Sequence, residues 1–238
     1  MKSETYFHRV QAQTPTKFWI NNVTRNEARL AIDAGAVGCT TNPSYTWKMI
    51  NNPGETEDIL RILDGILKVE NDDDEVLVRL QRELAAKIAG IFMPMYTKSN
   101  GKLGYVSIQG DPFKEDTESI LRYARFNREA GENIMVKIPV TKEGLEAIEI
   151  LAAEAIPINA TEVMAVRQAL DVCKVYHKAT KGLRNPAPIY FSHIAGIFDE
   201  YLKMIVEKNG IDISPDVLWQ AGISIAKKTY HMVREKGY

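Results

Sequence analysis

The sequence has few cysteines. Cys39 and Cys173 are the only two in 238 residues, too few for the disulfide framework of a small secreted domain. Neither has histidine or cysteine neighbours at the spacing of a metal site. Long hydrophobic runs are also absent, and the polar segment 1–13 lacks the apolar core of a signal peptide. The sequence therefore predicts a soluble, unprocessed protein of the reducing cytoplasm, with no membrane partner.

The chain also has no excess of positive or negative charge. Thirty basic residues against 31 acidic residues give a net charge of -1 and a pI near 6.5. A surface built to bind nucleic acid or an anionic membrane would shift this balance towards the basic side. We therefore expect no nucleic-acid partner, and a small molecule or another protein instead. With 45% hydrophobic residues the chain can bury one large core, which favours a single domain over 1–238.

Strand-like and helix-like segments alternate along the chain. Apolar, β-branched runs followed by helical patterns predict six strands, at 17–23, 36–41, 103–109, 133–141, 155–161 and 187–192. No hairpin signals separate them, so we expect parallel βα units whose sheet is covered by helices. Thr24 and Gly35 have the residue types that cap the first such helix, 25–34. The acidic stretch 71–74 is interpreted as a loop and a helix N-terminus, not as a metal-ligand cluster.

A lysine lies inside the apolar strand 133–141. Side chains alternate between the two faces of a strand, which places the isoleucines and Val136 on one face and Met135 and Lys137 on the other. Lys137 therefore cannot pack among the apolar side chains of its own strand. Taken alone, it could also be an exposed charge at the end of a strand.

The same alternation puts polar side chains at one end and on one face of every predicted strand. The pairs that share this face are Trp19/Asn21, Thr40/Asn42, Ser107/Gln109, Met135/Lys137, Asn159/Thr161 and Tyr190/Ser192. Function collects at the C-terminal ends of the strands in a closed parallel barrel. Because both faces of such a sheet are covered, solvation does not explain the pattern. We expect these side chains to line one site.

An amine among amides and hydroxyls in a site with little water has a specific chemistry. Desolvation lowers the pKa of a buried lysine, so a fraction of Lys137 would be neutral near pH 7. A neutral amine attacks a carbonyl group and forms a Schiff base, whose iminium accepts electrons when a neighbouring carbon-carbon bond breaks. The amides would then bind substrate hydroxyl groups. Asn21 or Ser192, each taken alone, could equally be a capping or loop residue.

These residues lie in stretches that resemble the transaldolase family, the Schiff-base (β/α)8 aldolases that include transaldolase proper and fructose-6-phosphate aldolase. The matching stretches are 40–44, 105–112, 136–145, 158–161, and Ser192 with Gly196. The resemblance implies a TIM barrel that binds a sugar or sugar phosphate, without metal or organic cofactor, in carbohydrate metabolism of the pentose phosphate type.

The resemblance also implies a role for each matching residue. Lys137 corresponds to the Schiff-base lysine, and Asn42, Asn159 and Ser192 to binders of the substrate hydroxyl and carbonyl groups. Thr161 corresponds to a partner in the catalytic water network.

Three positions depart from the family pattern. Asn21 stands where the family usually has an acid/base aspartate, and an amide cannot exchange a proton at neutral pH. Gln109 stands where transaldolase proper usually has a glutamate, as it does in the aldolase-type members. Ile197 replaces the arginine that holds the substrate phosphate. The catalytic set is therefore expected to be Lys137, Gln109 and Thr161, with Asn21 in the acid/base position.

The C-terminal segment 219–238 resembles the helix before the seventh strand of the barrel. Only about six βα units are visible, so the barrel domain is expected to be incomplete before strands seven and eight. An open barrel exposes strand edges and apolar core. We expect either a fragment, or a barrel whose gap is filled by another subunit of a homo-oligomer or by the N-terminal segment.

Three functions remain open at this point. The first is a transaldolase-type transferase that moves a dihydroxyacetone-like unit from a ketose to an aldehyde, and the second is an aldolase that cleaves instead, which Gln109 favours. The third is a non-catalytic sugar-binding or degenerate barrel, which Asn21 and Ile197 favour. A serine hydrolase built on Ser192 and His193 is disfavoured, because adjacent residues of a strand face opposite ways.

Overall fold

The computed structural model describes residues 4–238, which form two compact units. The first ends at Lys137 and the second begins at Ile138, so the boundary falls within one strand. The single domain expected from composition stays a prediction.

The first unit alternates helices and parallel strands. Its elements are α1 Tyr6–Gln13, β1 Phe18–Asn21, α2 Arg25–Ala34, β2 Ala36–Thr40, α3 Tyr45–Ile50, α4 Thr56–Ile66, α5 Asp73–Lys98, β3 Tyr105–Gln109, α6 Thr117–Arg128 and the first four residues of β4 Ile134–Pro139. Strand β1 pairs with β2, β2 with β3 and β3 with β4, always in parallel.

The second unit continues the pattern. Its elements are α7 Lys142–Ala153, β5 Ile158–Val163, α8 Val166–Thr180, β6 Ile189–His193, α9 Gly196–Asn209 and α10 Pro215–Glu235. Strands β5 and β6 are parallel neighbours. All six predicted strands are therefore present, and the predicted α/β class with parallel strands is confirmed.

Local capping rules account for the start and end of α2. The Thr24 hydroxyl accepts the Glu27 amide at 3.2 Å, and the Glu27 carboxylate accepts the Thr24 amide at 2.8 Å. Gly35 ends the helix with a φ of 109°, a left-handed conformation that glycine adopts without steric cost. Both predicted caps are confirmed.

The acidic stretch 71–74 lies at the N-terminus of α5, which confirms the predicted helix start. The Asp72 carboxylate accepts the Glu75 amide at 3.1 Å. The helix runs to Lys98 and includes Pro94. Its buried face continues through Phe92, so packing extends the helix past the point where the sequence pattern weakens.

Helix α1 was not predicted, because its segment is polar and contains no buried residue. Aromatic stacking and hydrogen bonds hold it to the rest of the first unit. The Phe7 ring stacks on Phe18 of β1 with centroids 4.0 Å apart, and the Gln11 amide donates to the Gly35 carbonyl. Contacts of this kind between separate segments leave no periodic pattern in the sequence.

The core of the first unit lies between the sheet and the helices. The strand face opposite the predicted polar face supplies Cys39, Val106, Ile108 and Ile134, and α5 supplies residues such as Ile88. Burial raises the pKa of the Cys39 thiol to about 12. This cysteine is therefore a small apolar packing residue without thiolate reactivity.

Gly144, in the first turn of α7, lies against the backbone of β4. A Cβ atom at this position would come within 1.8 Å of the Pro139 carbonyl oxygen. We expect Gly144→Ala to lower the free energy of unfolding by about 3 kcal/mol, because backbone atoms must shift to make room. Urea denaturation of both proteins measures the difference.

Gly90 provides the matched control. It lies within α5, and a Cβ atom there would meet nothing within 4 Å. Gly90→Ala should therefore raise the unfolding free energy by up to about 1 kcal/mol through helix propensity. Equal stability of the Gly144→Ala and wild-type proteins would contradict the close approach of α7 to Pro139.

Candidate active site

Parallel pairing aligns the polar ends of β1 to β4 in two rows. The first row joins Asn21 with Thr40, Thr40 with Ser107, and Ser107 with Met135. One layer further along, Gln109 lies opposite Lys137. The residues that alternation placed on one face in these four strands therefore also lie side by side across the sheet.

Lys137 is half-buried, whereas its strand neighbours Val136 and Ile138 are buried. Its Nζ atom donates a hydrogen bond to the Asn42 Oδ1 atom, 2.5 Å away. Asn42 follows directly after β2, and the buried Gln109 is the register partner of Lys137 on β3. The structure thus brings three of the predicted site residues together in the first unit.

Asn21 joins the same network through its side-chain oxygen. The Asn21 Oδ1 atom accepts the Thr40 hydroxyl at 2.8 Å and the Asn42 Nδ2 group at 3.3 Å. Asn42 is therefore held at both ends of its amide, with its oxygen towards Lys137 and its nitrogen towards Asn21. Because amides and a hydroxyl do not titrate near pH 7, none of these partners can exchange a proton.

Two further residues, Asn22 and Lys48, support this network. The sequence patterns did not predict a role for either of them. Asn22 has a φ of 50°, and its Oδ1 atom accepts the backbone amide of Asn42 at 2.8 Å. Lys48 of α3 donates to the Asn22 carbonyl at 2.5 Å and pairs with Glu27 at 3.2 Å. The predicted strand 17–23 included Asn22, whereas β1 ends at Asn21. The only signal in the sequence was the residue type, because asparagine tolerates positive φ.

The Glu27 carboxylate is a fixed negative partner for Lys48. The Thr24 backbone amide, and then Lys48, lower the pKa of this carboxyl group from its ordinary value. Its contribution to stability is therefore present above the ordinary pKa of a glutamate and is lost as the pH falls through the lowered value. Glu27 stays charged throughout the neutral range.

The three other predicted site residues belong to the second unit. The Ser192 hydroxyl on β6 donates to the Asn159 Oδ1 atom on β5 at 3.0 Å, so the structure brings these two together. Thr161, two residues along β5, is buried. A bulge between Ala160 and Val163 extends β5 to Val163, beyond its expected end at Thr161.

His193 and Ser192 have separate partners. The His193 Nε2 atom lies 3.1 Å from the Thr229 hydroxyl of α10, whereas Ser192 bonds to Asn159. Burial lowers the pKa of the His193 imidazole, which favours its neutral form. The two side chains do not form the nucleophile-base pair of a hydrolase.

Position 197, in the first turn of α9, carries an apolar side chain in place of the expected basic one. Ile197 is exposed at the start of α9, and Asp199 in the same turn accepts the Gly222 amide at 3.3 Å. An apolar and an acidic side chain at this point do not attract a phosphate group.

Neither a metal cluster nor a membrane helix is found within residues 4–238. No three His, Cys, Asp or Glu side chains in this range could hold a metal ion together. No helix in the same range is long and apolar enough to cross a bilayer.

Comparison with known proteins identifies relatives over most of the chain. Residues 18–238 match the family model for transaldolase/fructose-6-phosphate aldolase. A transaldolase of Trichodesmium erythraeum (strain IMS101) is 30% identical over 217 residues, which cover 80% of this chain and 55% of that protein. A transaldolase of Helicobacter pylori (strain P12) is 28% identical, covering 88% of this chain and 62% of its own length.

A third relative, a transaldolase of Mycobacterium tuberculosis (strain CDC 1551 / Oshkosh), is 26% identical over 237 residues. The match covers 91% of this chain and 61% of that protein. The chain thus spans between 55% and 62% of the length of these three relatives.

Proposed function

The chain belongs to the transaldolase/fructose-6-phosphate aldolase family, and we propose that it acts as a transaldolase-type enzyme through a Schiff base on Lys137. The family fold is a TIM barrel, of which the six parallel strands are a part. The observation that carries the proposal is the Lys137 amine at the C-terminal end of β4, hydrogen-bonded to Asn42. The substrate is a ketose, a sugar phosphate or a related keto-sugar, as in pentose phosphate metabolism.

The reaction begins with addition of the neutral Lys137 amine to the substrate carbonyl carbon. Loss of water gives an iminium, and the adjacent carbon-carbon bond then breaks. The electron pair of this bond moves towards the iminium nitrogen and forms an enamine. At the same time, the substrate hydroxyl group that becomes the aldehyde carbonyl loses its proton to a base. The enamine attacks the carbonyl carbon of an acceptor aldehyde, and water releases the product and the free lysine.

The surrounding residues bind and orient the substrate and the lysine. Asn42 holds the Lys137 Nζ atom before the reaction, and its position at the strand end suits a substrate hydroxyl as well. We assign substrate hydroxyl and carbonyl groups to Asn159 and Ser192, whose side chains are joined in the second unit. Gln109 and Thr161, both buried, are assigned to water near the reacting carbon. Asn21 is assigned to hydrogen bonding without proton transfer.

An aldolase that cleaves without transfer is the second candidate. Gln109, opposite Lys137, favours it, because the resemblance places a glutamine here in the aldolase-type members and a glutamate in transaldolase proper. A non-catalytic sugar-binding protein is favoured by Asn21, which fills the acid/base position with an amide.

Borohydride trapping tests the Schiff base directly. The protein is incubated with dihydroxyacetone or a ketose, reduced with borohydride and digested, and the peptides are weighed by mass spectrometry. We expect a covalent mass increase on the peptide that contains Lys137. Absence of any adduct, under conditions that label a full-length transaldolase, would leave sugar binding as the function.

Transfer and cleavage differ in their need for an acceptor. A transferase releases little product from a ketose alone and accelerates when an aldehyde such as erythrose 4-phosphate is added. An aldolase releases dihydroxyacetone without any acceptor. Product analysis by chromatography, with and without the aldehyde, separates the two.

A further inference from the structure

The turn after β1 and the segment after β2 are joined by two hydrogen bonds, both of which Asn22 accepts. Asn22 of the first accepts the Asn42 backbone amide of the second at 2.8 Å. Lys48, six residues after Asn42, donates to the Asn22 carbonyl at 2.5 Å. We propose that Asn22 and Lys48 are positioning residues that fix Asn42, and through it Lys137, for the Schiff-base reaction of the proposed function.

The backbone of Asn42 is the point on which this positioning acts. Its side chain accepts from Lys137 and donates to Asn21, so the amide spans two groups on different strands. Both bonds have the right geometry only while the Cα atom stays in place. Asn42 lies outside the strand ladder, because β2 ends at Thr40. The Asn22 side chain therefore supplies the backbone bond that a strand partner would otherwise supply.

The conformation of Asn22 makes both bonds available. With a φ of 50° the chain turns sharply after β1, so the side chain and the carbonyl of one residue serve the same neighbouring segment. Asparagine tolerates this left-handed conformation better than most residues other than glycine. A glycine could keep the turn but would lose the acceptor for Asn42.

Lys48 is itself fixed from the opposite side by Glu27. The ion pair at 3.2 Å joins α3 to the first turn of α2, where the Glu27 carboxylate also caps Thr24. The Lys48 side chain is 41% exposed, so the Coulomb energy of the pair is small. The role of Lys48 is geometric, because it links the turn after β1 to α2 and α3.

Asn22 offers a pair of variants that separates positioning from folding. Asn22→Gly keeps the left-handed turn and removes the acceptor, whereas Asn22→Asp keeps an acceptor of the same shape. We expect Asn22→Gly to slow the trapping of dihydroxyacetone on Lys137 by about fivefold to tenfold, the effect of one lost hydrogen bond. Asn22→Asp should trap at nearly the wild-type rate. Equal trapping by the glycine and aspartate variants would overturn the proposal.

Lys48→Met is compared with Lys87→Met and Lys48→Arg. Lys87 also pairs with a carboxylate, Asp58 at 2.5 Å, but contacts none of the site residues. Lys48→Met should slow trapping by a similar factor, while Lys87→Met leaves it unchanged and Lys48→Arg restores most of it. Equal effects of the two methionine variants would mean that only general stability is involved.

Two further measurements do not depend on Schiff-base formation. Hydrogen exchange at the Asn42 amide should be faster in Asn22→Gly than in wild type by about fivefold or more. Acetylation of Lys137 by acetic anhydride should also be faster in that variant, because the amine is released from Asn42. No sugar adduct in wild type would reject the proposed function alone, whereas unchanged exchange and acetylation would reject the positioning.

Discussion

Replacing Lys137 with methionine should abolish the borohydride-stable adduct and lower turnover by at least about 10³-fold, as expected when a covalent nucleophile is removed. Methionine is nearly as long as lysine and fits the half-buried end of β4, so the fold should be preserved. What disappears is the Nζ atom that donates to Asn42. The measurement combines adduct mass with the rate of product formation.

Lys137→Arg separates charge from nucleophilicity. An arginine can still donate to the Asn42 oxygen, but its guanidinium stays protonated and cannot attack a carbonyl. We expect it to be as inactive as methionine while keeping a melting temperature closer to that of wild type. Lys142→Met, which removes an exposed lysine at the start of α7, should leave adduct formation intact. An adduct that persists in Lys137→Met would assign the chemistry to a different lysine.

The position of Lys137 was predictable because strand periodicity is a local property. Alternation along 133–141 needs no knowledge of neighbouring strands, and it placed Lys137 opposite the buried Ile134 and Val136. The same reasoning placed Asn21, Asn42 and Gln109 on one face. Parallel pairing of β1 to β4 then brought these side chains to neighbouring positions.

The bonds that hold the site together were not predictable in the same way. Asn22 and Lys48 are 26 residues apart, and neither belongs to a periodic pattern. The Asn42 amide has its oxygen towards Lys137 and its nitrogen towards Asn21. This orientation depends on the turn at Asn22, whose φ of 50° the sequence only permits. The length of α5 and the bulge in β5 likewise follow from tertiary packing. Local rules identify the residue types, and contacts between distant segments fix their geometry.

Asn21→Asp should increase carbon-carbon cleavage or transfer by about 10²-fold, the lower end of what a positioned general acid or base contributes. The change replaces an NH2 group with an oxygen of nearly the same size. A carboxylate can still accept from Thr40 and Asn42, the two donors that Asn21 Oδ1 serves at 2.8 and 3.3 Å. The Asn21 residue is exposed, so the new charge stays hydrated.

The trapping experiment distinguishes this gain from a general improvement of the site. Schiff-base formation on Lys137 should change little in Asn21→Asp, because the Lys137 bond to Asn42 is untouched. Only the later step gains a base. In that step a proton leaves the substrate hydroxyl group that becomes the carbonyl of the departing aldehyde. Asn21→Ala removes the amide without adding a carboxylate and should show no gain in either step. If Asn21→Asp formed the adduct yet cleaved no faster than wild type, proton transfer would have to come from a group other than the residue at position 21.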